Sequence, residues 1–354
     1  MKQAMHRALF VPGCAAVLAL AAHATGSERT TVALEAKALR SWDILLPAER
    51  FADVGTGFAL PHRGAGDQAA DRFAARIEGE RLRIDLDGNG ECEALVEGHD
   101  GFVTLTGTSP QGNPLKYSVR LAQPNGRPWQ YSCGGAMVGA IGDTKLQFID
   151  QNLNGSFADF GEDALLVGHD RAASLLSHVV SVEGQLYTIE VAGDGSSFSY
   201  SAFDGAAGTV DLCSQFESKA KLESAIVVST DKNYSFSVAK AKEGLRVPAG
   251  EYKLLYGQIG LGDSRATVRT GRAKAFSVAA NARQSIAWGG PVQAEFAFKR
   301  EGSTVSFTPW DIWYYGRLGE EYSNFLPLGK TPDFVIKEKN TGEQLVIAKF
   351  PGNC

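Results

Sequence analysis

The amino-acid sequence predicts a mainly β protein, built as a duplicated strand–loop–strand region followed by a β-sandwich. Three observations predict it. Apolar and polar residues alternate through most of the chain, glycine is abundant at 40 of 354 residues, and two stretches of the first half repeat each other in order. Alternation is the mark of strands with one buried face.

The N-terminus follows a secretory pattern. Lys2 and Arg7 make it basic, an apolar run covers 8–22, and Ala22-His23-Ala24 places small residues where a signal peptidase reads. Cleavage is expected after Ala24, leaving 1–24 as the signal peptide and an exported protein, periplasmic or extracellular. Val11-Pro12-Gly13-Cys14 is loosely like a lipobox, but Pro12 is unusual there and the best hydrophobic stretch follows the cysteine. No other stretch reaches the ~20 apolar residues of a membrane span. The net charge of −5 is mild and interspersed, without a basic block to neutralise phosphates, so nucleic acid is not an expected partner.

Beyond the leader stand Cys92, Cys133, Cys213 and Cys354, an even number for an oxidising compartment. Two disulfides are expected, with three pairings open. No C-x-x-C spacing supports zinc or dithiol redox chemistry.

Helix is expected only over 32–46 and 68–77. Strands are expected where alternation is clear, as in Phe102-Val103-Thr104-Leu105, Tyr117-Ser118-Val119-Arg120-Leu121 and Tyr187-Thr188-Ile189-Glu190-Val191. Ile84-Asp85-Leu86-Asp87-Gly88-Asn89-Gly90 is matched by Ile149-Asp150-Gln151-Asn152-Leu153-Asn154-Gly155, 65 residues later. The segment 93–100 is matched by 163–170, 70 residues later, so the second copy has the longer loop. Such self-similarity predicts an internal duplication across 33–223.

From 224 to 354 short strands recur at roughly ten-residue spacings, ending in a hairpin around Lys339-Asn340-Thr341-Gly342. Within that region Val247-Pro248-Ala249-Gly250-Glu251-Tyr252-Lys253-Leu254 resembles the strand entry of prealbumin-like and other immunoglobulin-like sandwiches. The resemblance implies an immunoglobulin-like β-sandwich with Tyr252 and Leu254 turned into the core. It covers about a dozen residues and implies no activity.

The two repeated loops carry the chemistry. A hard cation takes six to eight oxygens at about 2.3–2.6 Å, and a loop supplies them when acids or amides alternate and glycine allows the turn. Asp85, Asp87, Asn89 and Gly90 fill the first, third, fifth and sixth places, as do Asp150, Asn152, Asn154 and Gly155. The pattern resembles EF-hand-like DxDxDG calcium loops, as found in secreted bacterial proteins of unknown function. Neither loop is a full EF-hand, because Val96 and Gly161 stand where the bidentate Glu belongs. Further oxygens are expected from Asp159, Asp163 and the Ser156 carbonyl in the second loop and from Glu93 in the first. The second has the larger acid count and is the stronger candidate for calcium (Ca2+). The plainer alternative is a pair of turns, since Asp, Asn and Gly are what turns need.

Catalytic signatures are absent: no GxSxG, HExxH, GxGxxG or P-loop occurs. His99 and His169 recur in Gly-His-Asp steps that read as surface turns rather than acid–base pairs. In Trp310-Asp311-Ile312-Trp313-Tyr314-Tyr315-Gly316 the alternate residues Trp310, Ile312 and Tyr314 are expected in a core, as are Trp129 and Tyr131. The expected function is therefore that of an exported calcium-binding β-rich binding or structural protein. The alternative is a secreted carbohydrate-binding protein or hydrolase using the 310–316 cluster. The partner, glycan or protein, is left unassigned.

Overall fold

A computed structural model describes residues 28–58, 60, 73–108, 112–124, 127–302, 304–306, 308, 311–324 and 333–349. The expected leader, Cys354, Trp310 and 68–72 lie outside them. The described residues form strands and turns, with no α-helix. None of their segments is a helix long and apolar enough to cross a membrane.

The first half contains β1 (Thr30–Ala33), β2 (Glu35–Ala38), β3 (Ala52–Asp53), β4 (Gly57–Phe58), β5 (Phe73–Glu78) and β6 (Arg81–Ile84). It continues with β7 (Ala94–Val96), β8 (Asp100–Thr108), β9 (Pro114–Ala122), β10 (Gln130–Cys133), β11 (Gly135–Ile141) and β12 (Thr144–Ile149). It ends with β13 (Ala164–Val167), β14 (Ser174–Leu175), β15 (Val179–Val182), β16 (Gln185–Val191) and β17 (Ser197–Ala202).

These strands make two pairs of sheets with matching orders. One pair is β4-β5-β6-β7 with β3-β10-β9-β8; the other is β2-β11-β12-β13-β14 with β1-β17-β16-β15. The first pair lies entirely between β2 and β11 in the chain, so one set is nested inside the other. Registers agree as well. Ile84 faces Ala94 across β6 and β7, and Ile149 faces Ala164 across β12 and β13. Both sets close on one core, in which Phe58, Phe73, Leu82, Ile84, Trp129 and Leu146 are inaccessible to solvent. Trp129 and Tyr131 are both core residues, as expected.

The second half begins with β18 (Ala207–Asp211), β19 (Phe216–Glu217), β20 (Lys221–Ser229), β21 (Ser235–Ser237), β22 (Leu245–Pro248) and β23 (Gly250–Leu261). There follow β24 (Ser264–Arg269), β25 (Phe276–Val278), β26 (Arg283–Ser285), β27 (Trp288–Gly289) and β28 (Gln293–Phe296). Last come β29 (Lys299–Glu301), β30 (Thr304–Ser306), β31 (Ile312–Tyr315), β32 (Glu321–Ser323), β33 (Asp333–Lys337) and β34 (Gln344–Lys349). The main sheet runs β21-β20-β23-β24-β32-β31-β28, and β18 joins β22 and β26 opposite its core. Tyr252 and Leu254 are fully buried, and the Tyr252 hydroxyl donates to the Pro248 carbonyl at 2.8 Å. A core aromatic so keeps its polar end satisfied. Val179 and Leu186, on β15 and β16, belong to this second core, so the two halves share a seam.

Two expectations are corrected. The segment 32–46 is not helical: β1 pairs with β17 and β2 with β11, and Val32, Leu39, Trp42 and Ile44 pack on the first core. The described end of 68–77 is likewise strand, in β5. Long-range pairing overrides the helical propensity of Ala, Glu, Lys and Leu there. Cys92, Cys133 and Cys213 are free thiols, so no disulfide links them. Cys133 is buried beside the Gly135 carbonyl, 3.2 Å from its sulfur, rather than near another cysteine.

Candidate metal centre

Each candidate loop joins two antiparallel strands and turns around one buried aspartate. In the first, Asp85 is 1% exposed and accepts the N–H groups of Gly88 (2.7 Å), Asn89 (3.2 Å) and Gly90 (2.8 Å). In the second, Asp150 is 0% exposed and accepts those of Leu153 (2.7 Å), Asn154 (3.3 Å) and Gly155 (2.7 Å). Gly90 and Gly155 have φ of +90° and +79°, a region costly for side-chain-bearing residues. The remaining alternate positions also match. Asp87 and Asn152 accept from the residue two further on, as do Asn89 and Asn154.

In the first loop, oxygens of Asp85, Asp87 and Glu93 lie within 4.8 Å of one another. Glu93 is drawn back by accepting the Leu86 N–H at 2.8 Å. Asp87 is only partly covered and Glu93 is exposed, so this loop opens to water.

The second loop is more deeply set, with Leu153 and Phe157 buried in the first core. Asn152 and Asn154 both turn their amide N–H groups to one oxygen of Asp159, at 2.9 and 2.5 Å. Asp159 in turn donates its backbone N–H to Asp163 Oδ2 at 3.0 Å, while the buried Asp163 Oδ1 has no hydrogen-bond partner. The Ser156 carbonyl accepts no backbone N–H among the described residues. Among those residues the loop's carboxylates do not form a triad as tight as that of the first loop.

The charges of the second loop are poorly offset. Burial, reinforced by Asp150, Asp159 and Glu162, pushes the Asp163 carboxyl up to about 8. Burial pushes Asp150 up to about 6 against the hydrogen bond from Tyr117, which reaches it at 2.9 Å. Arg50 lies 3.9 Å from Glu162 and is largely exposed. The donor set is all oxygen, which suits a hard cation and offers nothing to a soft one.

Sequence reasoning missed Tyr117 as a member of this site. Alternation marks the residue only as the start of a strand, and the contact depends on β9 of one sheet pair meeting the loop of the other. His99 and His169 are exposed, and Asp170 pairs with Lys240 at 2.9 Å rather than with an imidazole. In the aromatic segment Tyr314 packs on the second core, while Trp313 is 37% exposed.

No protein family's profile matches this chain, and no curated protein is similar to it. A solved leucine-rich repeat protein from Bacteroides thetaiotaomicron aligns over 53% of this chain and 24% of its own, at 12% identity and a TM-score of 0.20. A likeness that faint carries no argument about fold or function.

Proposed function

We propose that the protein is an exported, calcium-binding β-rich binding or structural protein in which the ion staples two equivalent loops of a duplicated region. The observation that carries this reading is the shared N–H cradle around Asp85 and Asp150, with oxygens of later residues returned to each loop. A turn needs only the central aspartate. It has no need of Glu93 returned to the first loop, nor of Asp163 buried with one oxygen unpaired. A buried polar atom left without a partner costs free energy that a bound cation would recover. The immunoglobulin-like character of the second half, supported by the buried Tyr252 and Leu254, gives the ion-bearing half a rigid neighbour. Export is supported by the N-terminal pattern alone.

Thermal melting in about 10 mM calcium and in chelator tests the proposal. A loop with partial ligands and Kd near 10⁻⁴ to 10⁻³ M gains about 1.4 to 2.7 kcal/mol at that concentration. The expected result is a rise of a few degrees in Tm with calcium, larger than with magnesium at equal ionic strength. Coincident melting curves in calcium and chelator would refute it.

A further inference from the structure

The outer face of the main sheet holds a feature that the core does not explain. Along β23, Tyr252 and Leu254 point inward, and strict alternation would bury Tyr256 with them. A β-bulge intervenes: Val227 pairs with Leu254, but the next residue back, Ile226, pairs with Tyr256. The extra residue turns Tyr256 to the opposite face. Bulges re-aim side chains in this way next to binding sites.

Tyr256 there begins a cross-strand row. It faces Arg269 on β24, which faces Glu321 on β32, which faces Tyr315 on β31. Paired residues share a face, and their neighbours Val268, Tyr322 and Tyr314 belong to the second core, which leaves the row on the outer side. With strands about 4.8 Å apart, the row spans about 15 Å. Its first three members form one wall of a cleft of ≈ 680 Å³ between the two halves, and Arg50, Asn152 and Glu162 stand on the other wall. That volume is within the range of small-ligand sites, which favour such junctions. The side chains of Arg269 and Glu321 and the Tyr256 hydroxyl have no hydrogen-bond or ion-pair partner among the described residues. At the far end the Arg272 guanidinium lies 4.2 Å from the Tyr315 ring centre.

The composition of the walls selects a ligand class. Two arginines are balanced by two glutamates, so the cleft favours neither a polyanion nor a polycation. Donors and acceptors alternate, as hydroxyl groups that both give and accept hydrogen bonds require. The Tyr256 ring at one end offers an apolar face with a polar tip, while the Tyr315 ring at the other is covered on one side by Arg272. We infer that the cleft and the row of Tyr256, Arg269, Glu321 and Tyr315 bind a neutral oligosaccharide. The site is distinct from the exposed Trp313, and it needs no ion in the loops, although Asn152 is common to both.

Isothermal titration of the full chain with cellohexaose, maltohexaose, xylohexaose and hexagalacturonate, each in calcium and in chelator, tests the inference. At least one neutral hexasaccharide should bind with Kd of roughly 1 mM or tighter. Arg269→Ala and Tyr256→Ala should each weaken that binding by roughly tenfold or more, and Trp313→Ala should leave it unchanged. Arg269 is exposed on the surface, so its variant tests the site even if Tyr256→Ala unfolds. Binding in both solutions supports the site whether or not calcium stabilises the loops. Binding in calcium alone would overturn the inference that the site works without an ion. No neutral hexasaccharide bound in either solution, preference for hexagalacturonate, or affinity lost with Trp313→Ala but kept with Arg269→Ala would overturn it.

Discussion

Asp211 illustrates how a single charge is housed in this protein. Its side chain is fully buried, yet it accepts hydrogen bonds from the Cys213 and Ser214 N–H groups, the Ser214 and Ser285 hydroxyls, and the Arg283 guanidinium at 2.6 Å. Burial alone would raise its pKa, but the Ser214, Arg283 and Ser285 bonds prevail and hold the carboxyl far below the usual carboxylate range. A carboxyl lowered on folding stabilises the fold above its unfolded pKa near 4, and that contribution fades as pH falls below it. Asp211→Asn should therefore cost about 2 kcal/mol at neutral pH, the scale of lost charge-assisted hydrogen bonds at a buried group. Urea unfolding at pH 7, 5 and 3 checks this: the gap between variant and parent should hold from 7 to 5 and narrow at 3. A gap independent of pH would show that the charge of Asp211 contributes nothing.

At the scale of the element, the two loops differ in how they carry their acids. The first is shallow and the second is set into the core, with Asp163 crowded by Asp150, Asp159 and Glu162. Asp163→Asn removes a buried carboxylate while keeping an oxygen for the Asp159 N–H. It should raise stability in chelator by about 1 kcal/mol and reduce the calcium-induced rise in Tm. Asp150→Ala should instead lower stability by about 3 kcal/mol in either solution, because three loop N–H groups and the Tyr117 hydroxyl lose their acceptor. Calorimetric scans of both variants with and without calcium separate a ligand from a hub. Equal losses in both variants would mean that Asp163 serves the turn alone. The turns of the loops are legible in the sequence because each N–H cradle, from Asp85 to Gly90 and from Asp150 to Gly155, lies within six residues, whereas Tyr117 reaches Asp150 from another sheet. The strands of the second half are legible for the same reason: Tyr252 and Leu254 alternate locally. Residues 32–38 mislead because they make strands only through partners about 100 to 170 positions away, and local composition there favours helix. The row of Tyr256, Arg269, Glu321 and Tyr315 is scattered over β23, β24, β31 and β32, and the bulge that turns Tyr256 to the outer face leaves no periodic trace.

At the scale of the whole molecule, the decisive feature is the seam. The Leu175 N–H donates to the Ser235 hydroxyl at 3.1 Å, the Ser235 N–H to the Ser177 hydroxyl at 3.1 Å, and the His178 N–H to the Asn233 carbonyl at 3.2 Å. Val179 and Leu186 then fill the second core from strands of the first half. The same segment closes the second loop, since Gly161 donates to the Leu176 carbonyl and Leu176 to that of Asp163. Ordering the loop therefore orders the chain that the second half packs against. Nearest-neighbour coupling of this kind predicts one cooperative unit rather than two independent ones. Hydrogen exchange measured by mass spectrometry should show calcium slowing exchange in β20, β21 and β23 as well as in β12 and β13. With Asp163→Asn, protection in the second half should fall toward its value in chelator. Calcium protection confined to the first half, with β20 to β23 unmoved, would show that the seam transmits nothing and that the two cores open separately.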